Sequence, residues 1–165
     1  MPEKSVDLNN LEALFNHQIE FAKRIFEDKG EVLPMWVGQD ESGAVYPMTV
    51  LFNTQEEKAQ AAEAIKMLFE RNNIIRYVSM VESWMVITDQ AVDALTIRPS
   101  QHPDRKEVII IAAEEVGREG MVGYLEIIRK DDGKVELSEF KDQPRGSSAC
   151  GDFAEILPNS KQTRH

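Results

Sequence analysis

One cysteine, Cys150, stands in a chain of 165 residues. A lone thiol cannot close an intramolecular disulfide, which suits a reducing compartment. The three histidines, His17, His102 and His165, have no ligand spacing, so no zinc site is expected. No apolar run approaches the roughly 18 residues of a membrane span. Met1-Pro2-Glu3-Lys4 leads into no apolar signal segment. The expected location is therefore the cytoplasm, with no membrane partner. Positive charge is scarce: 19 Lys and Arg face 29 Asp and Glu, the net charge is −10, and no basic block occurs. Nucleic-acid backbones are gripped through Lys and Arg, so no nucleic-acid partner is expected either. The glycines of Gly146-Ser147-Ser148-Ala149-Cys150-Gly151 lack the strand before and helix after that a phosphate loop needs. Cys150, in so flexible a stretch, has no base held within reach, and nucleophilic catalysis is not expected of it. No cofactor is expected.

What is present is an ordinary globular composition, 42% hydrophobic and 29% charged. A chain this size forms one domain and buries roughly 70% of its unfolded surface. Leu8, Leu11, Leu14, Phe15, Ile19, Ala22, Ile25 and Phe26 recur at helical spacing, with Asp7 as N-cap and Gly30 as C-terminal stop. Val32–Val37 and Val45–Phe52 read as strands around the turn Asp40-Glu41-Ser42-Gly43. Pro34 and Pro47 require that one of the two be an edge strand or carry a bulge. Thr54 and Glu57 form a capping box for a second helix, whose buried face is Ala61, Ala64, Ile65, Leu68 and Phe69. Strands follow at Ile74–Ile87, Lys106–Glu115, Met121–Arg129 and Val135–Phe140, the last two joined by Asp131-Asp132-Gly133. The order α-β-β-α-β-β-β-β with short connections predicts an α+β fold: a mostly antiparallel twisted sheet of about six strands, with two helices packed on one face. Residues 5–141 make the domain, and 142–165 read as a polar, mobile C-terminal tail. The methionines Met35, Met48, Met67, Met80, Met85 and Met121 fall in expected core elements.

The densest chemistry lies in Arg98-Pro99-Ser100-Gln101-His102-Pro103-Asp104-Arg105-Lys106-Glu107, which feeds the apolar strand Val108-Ile109-Ile110-Ile111. The segment closes a connection of about eighteen residues, long for a compact domain. Glu82 shares a strand face with Met80 and Trp84, so its carboxylate needs a partner. Arg98 or Arg105 is expected to supply a bidentate fork, and His102 a ring N–H. Glu82, Trp84, Arg98, Ser100, His102, Asp104, Arg105 and Glu107 thus form a candidate polar cluster. It reads either as an ion-paired staple for the long connection or as a pocket walled by Trp84. Asp104, Asp131 and Asp132 are weak metal candidates: Pro103-Asp104 with Asp132-Gly133-Lys134 has the look of a Pro-Asp…Asp-x-Lys nuclease pattern, but Asp-Asp-Gly is first of all a hairpin turn. Pro34, Met35 and Trp36, on a suspected edge strand, are interface candidates for strand addition or self-association.

Three motifs carry a resemblance. Pro34-Met35-Trp36, Glu82-Ser83-Trp84 and Pro99-Ser100-Gln101-His102-Pro103-Asp104-Arg105-Lys106-Glu107-Val108 resemble a group of small bacterial and phage-encoded proteins. The resemblance spans about residues 10–140 and implies no activity, none being established for the group. The reading that follows from the residues is a non-enzymatic cytoplasmic module that binds a protein partner, with a homodimer as one form. The alternative is a small ligand-binding or metal-dependent hydrolase or nuclease-like domain, with its site at the loop before the central strand.

Overall fold

The structure is a computed structural model and describes residues 10–85 and 105–143. The fold is α+β, in the expected order: α1 (Leu11–Lys29), β1 (Met35–Asp40), β2 (Val45–Thr49), α2 (Gln55–Arg71), β3 (Ile74–Met85), β4 (Lys106–Glu115), β5 (Met121–Arg129), β6 (Val135–Leu137) and β7 (Lys141–Asp142). The strands form one open antiparallel sheet, β2-β1-β3-β4-β5-β6, with β7 also on β5. Arg98, Ser100, His102, Asp104, Asp7 and the tail after Gln143 lie outside the described residues.

Among the described residues seven strands appear where about six were expected, because Val135–Phe140 pairs only as far as Leu137 and pairing resumes beyond it at Lys141–Asp142. Ile127 pairs with Leu137 and Gly123 with Asp142, so four steps along β5 face five along the partner. Ser138 occupies the break: its Oγ accepts from Glu126 N–H at 2.8 Å. Phe140 then turns inward over Gly123. A Cβ on Gly123 would come within 2.2 Å of that ring and 2.8 Å of the Lys141 carbonyl, so only glycine fits there.

Both helices are capped by side chains. Asn10, not Asp7, caps α1, accepting from Ala13 N–H at 2.7 Å, and Gly30 closes it at φ 76°. Thr54 Oγ1 accepts from Glu57 N–H at 3.0 Å, and Glu57 Oε2 reaches back to Asn53 N–H at 2.7 Å.

The helices do not share a face, contrary to expectation. Leu11, Leu14, Phe15, Ile19, Ala22 and Phe26 of α1 pack on Val37, Val78, Met80, Ile109, Ile111 and Leu125. Ile65 and Phe69 of α2 pack on Trp36 and Tyr77, the residues that alternate with those. The topology explains this. β1 is antiparallel to both β2 and β3, so these two are parallel, and α2 is a crossover passing over β1. Crossovers of one hand dominate, which commits α2 to one face and leaves the other to α1.

An ionic staple holds the start of α1 to the far end of the sheet. Arg76 Nε donates to Glu115 Oε1 at 2.5 Å and its Nη1 to Gln39 Oε1 at 2.7 Å. Arg118 pairs with Glu115 at 3.2 Å and with Glu12 of α1.

Candidate functional site

Strand alternation brings Glu82 and Trp84 of β3, Glu107 of β4 and Arg129 of β5 to one end of the α1 face, with Trp84 directly opposite Glu107. Glu82 is half-buried, and among the described residues its hydrogen-bond partner is a backbone group. Its Oε1 accepts from the backbone N–H of Val32, in the α1–β1 connection, at 3.0 Å. Burial pushes the carboxyl above its ordinary range. The Val32 hydrogen bond opposes this, Glu107 and Glu31 reinforce it, and Arg129 opposes it.

Glu107 goes the other way. Arg129 forks onto it, Nε to Oε2 at 2.8 Å and Nη2 to Oε1 at 2.6 Å. These bonds hold the Glu107 carboxyl below its ordinary range against a smaller opposing effect of burial. Arg105 serves Trp84 rather than Glu82: its guanidinium lies 4.9 Å from the ring centroid, a cation–π distance. Four of the eight predicted cluster residues are thus brought together, joined by Arg129, which the sequence reading did not include. The signal for Arg129 was available, since Glu107 and Arg129 share a face on consecutive antiparallel strands.

The metal and edge-strand candidates fare differently. Asp132 Oδ1 accepts from Lys134 N–H at 2.9 Å, and Gly133 N–H donates to the Lys130 carbonyl at 3.0 Å, so the aspartate shapes the hairpin turn. Among the described residues no group of three or more His, Cys, Asp or Glu side chains could hold a metal ion. Pro34, Met35 and Trp36 are not at an edge. β1 lies between β2 and β3, Pro34 immediately precedes it, and Trp36 is fully buried against α2. The edge is one strand further out, at β2, which carries Pro47.

An open apolar corner lies beside that edge. A cavity of about 340 Å³ runs between α2 and β2, lined by Val45, Tyr46, Met48, Leu68 and Phe69 among others. In its wall Val45 is 44% exposed and Leu68 41%, and on the same β2–α2 segment Leu51 is 73% exposed and Met67 64%. Tyr46 donates its hydroxyl to Asp40 Oδ2 at 3.2 Å, which fixes its ring in the wall. Met67 and Leu68 were expected in the core, as was Ala64, and all three are exposed. The narrower stripe Ala61, Ala62, Ile65 and Phe69 is what α2 buries. An apolar excess beyond one stripe is the signal in the sequence, and in α2 that excess lies outside the buried stripe.

No helix among the described residues is long and apolar enough to cross a membrane. No family model, no curated protein and no solved structure matches the chain.

Proposed function

We propose that this chain is a non-enzymatic cytoplasmic protein-binding module that engages its partner through the corner between α2 and β2. The observation that carries the reading is a cavity of about 340 Å³ with exposed Val45 and Leu68 in its wall, on a β2–α2 segment that also exposes Leu51 and Met67. Scattered exposed apolar residues are ordinary, but two that wall one concavity at a sheet edge, with two more on the same β2–α2 segment, fit a contact surface. The charged end at Trp84 is read here as a staple. Glu82 ties the α1–β1 connection to β3, and Glu107 with Arg129 ties β4 to β5. The test is a photocrosslinking residue at position 68, with one at Arg24 on the exposed side of α1 as control. A discrete protein adduct from position 68, absent from position 24 and lost in Met67→Lys at unchanged melting temperature, is the expected result. Equal adducts from both positions would overturn the reading.

A second reading has one observation in its favour. Glu82 and Glu107, neighbours across β3 and β4, are pushed in opposite directions. A carboxylate pair with diverging acidity is how acid–base sites are built, although structural ion pairs produce it too. A thermal midpoint raised by Mg²⁺, Mn²⁺, a nucleotide or a small anion, and no longer raised in Asp104→Ala, would favour this ligand or hydrolase reading.

A further inference from the structure

Along α2, Glu57, Gln60, Ala64, Met67, Leu68 and Arg71 recur at three- and four-residue spacing, and all six are exposed. They form a second stripe, distinct from the buried one, and Leu68 carries it to the cavity wall. Its charge has a symmetry. Glu57 and Arg71 each lie seven residues from Ala64, one toward each end of the helix. At 1.5 Å per residue each is about 10 Å from that centre.

We infer that the partner of this corner is a second copy of the chain, with the two α2 helices antiparallel about a two-fold axis at Ala64. The inference rests on the protein-binding reading and names the occupant. In that arrangement Glu57 of one protomer meets Arg71 of the partner subunit, and the same pair forms again on the other side of the axis. Ala64, the smallest side chain of the stripe, sits at the crossing and lets the backbones approach. Met67 and Leu68 of each copy fall on either side of it. Glu57 also holds Asn53 N–H through Oε2, which fixes the carboxylate at the start of α2.

Helix pairing is favoured over extension of the sheet. Pro47, in the middle of β2, has no N–H to give an added strand and guards the edge. A stable dimer buries roughly 1,200–2,000 Å² in total. A stripe on a 17-residue helix is narrow, so the cavity walls must join the interface. Val45, Tyr46 and Met48, on the same flank as the stripe, provide them.

The test uses the full chain carrying Cys150→Ser, followed by sedimentation velocity across the micromolar range. The unaltered stripe is expected to give a concentration-dependent dimer. Arg71→Glu, which sets two carboxylates together at each end, is expected to weaken it about tenfold or more. Adding Glu57→Arg to Arg71→Glu restores opposite charges and is expected to recover most of the loss. Glu57→Arg also removes the helix-capping bond, so a second measurement stands apart from it. Ala64→Cys is expected to form a disulfide-linked dimer under mild oxidation, whereas Ala59→Cys on the opposite side of α2 is not. A monomer throughout the range, or equal crosslinking from positions 59 and 64, overturns the inference. In that event a position-68 adduct with a different protein would still sustain the protein-binding reading, whereas its absence would remove both.

Discussion

Helix α1 lies across β3 and β4 at the middle of the sheet, and α2 lies along the rim over β1 and β3. They are similar in length, 19 and 17 residues, and each is capped by a side chain. What separates them is what they do with their large apolar residues. Leu11, Leu14 and Phe15 of α1 are at most 2% exposed, and Phe140, between β6 and β7, packs against their cluster. α2 buries two large side chains, Ile65 and Phe69, and leaves Met67 and Leu68 in solvent. Amphipathicity alone does not say whether a helix is a wall of the core or a platform. The lesson is that position relative to the sheet edge decides, because a rim helix has a side with nothing beneath it.

Among substitutions that keep the core apolar, the largest effect should come from comparing the two buried phenylalanines. Phe15 meets Phe140 edge-on at 5.5 Å between centroids, and Phe69 meets Tyr77 at 5.3 Å. Phe15→Ala is expected to cost about 3–5 kcal/mol of global stability in denaturant unfolding. Phe69→Ala removes as many atoms, yet a rim helix can undock without unfolding the sheet, so its cost is limited by that local opening. Native-state hydrogen exchange should then show α2 amides losing protection while β4 amides keep theirs. Equal loss in both elements would mean that α2 is as integrated as α1, and the contrast would be wrong.

Second in size is the closure that Phe140 makes over the α1 core. Gly123→Ala places a methyl where the Phe140 ring and the Lys141 carbonyl already sit. Overpacking of this kind costs about 1–3 kcal/mol. The equivalent test on the α2 face is Gly38→Ala, where the nearest atoms, on Phe69 and Ile74, stand 3.0 to 3.2 Å from the new Cβ. Its cost should be smaller, because a side chain there can give way, whereas a backbone carbonyl cannot move as cheaply. Thermal unfolding of the two variants ranks them directly.

Much of this architecture was legible in the residues. β4 and β5 span the residues expected for them, Lys106–Glu115 and Met121–Arg129, and Thr54 with Glu57 marked the start of α2. The two-sided cover of the sheet was also written there. Tyr77 and Val81 alternate with Val78 and Met80, and a strand apolar on both faces needs a layer on each. Chain order conceals which helix supplies which layer, and only the crossover over β1 settles it. Trp36 was misplaced for a related reason. A proline beside it suggested an edge, but Pro47 marks the edge and Pro34 only leads into β1. At the Trp84 end the residues were found but not their pairing. Glu82 takes a backbone N–H from a segment fifty positions away, a contact that leaves no trace in side-chain spacing.

That end also gives a pH test whose sign differs between neighbours. The Glu82 carboxyl is raised in the folded state, so its contribution to stability is fully present below the unfolded-state value and is lost as pH rises through the folded-state value. Glu107 is lowered, so its contribution is present above the unfolded-state value and is lost as pH falls through the folded-state value. Glu82→Gln keeps an oxygen for Val32 N–H and removes the ionisation. Stability measured from just above the ordinary glutamate value, about 4.3, toward neutrality should fall less in this variant than in the parent. Glu107→Gln should instead flatten the acid side. If Glu82→Gln lowers stability at neutral pH, the carboxylate must be gaining more from its surroundings than burial takes away, and the staple would be stronger than described.

The smallest expected effect on stability is the sharpest for the comparison of the two helices. Met67→Lys changes a side chain that is 64% exposed on α2. Substitutions at such surface positions stay within about 0.5 kcal/mol, so denaturant midpoints of the monomeric parent and variant should coincide. The matching change on α1, Leu14→Lys, puts an unpaired ammonium where the side chain is 1% exposed, and should prevent folding. Met67 and Leu14 are therefore predicted to respond in opposite ways to the same substitution, although both lie in amphipathic helices on one sheet. If Met67→Lys does destabilise the chain, the methionine is covered in solution, and the exposed stripe of α2 is already in contact with something at the concentration used. Diluting the sample separates these cases. A destabilisation that disappears on dilution identifies a second copy as the cover, and one that persists places the cover within the same chain.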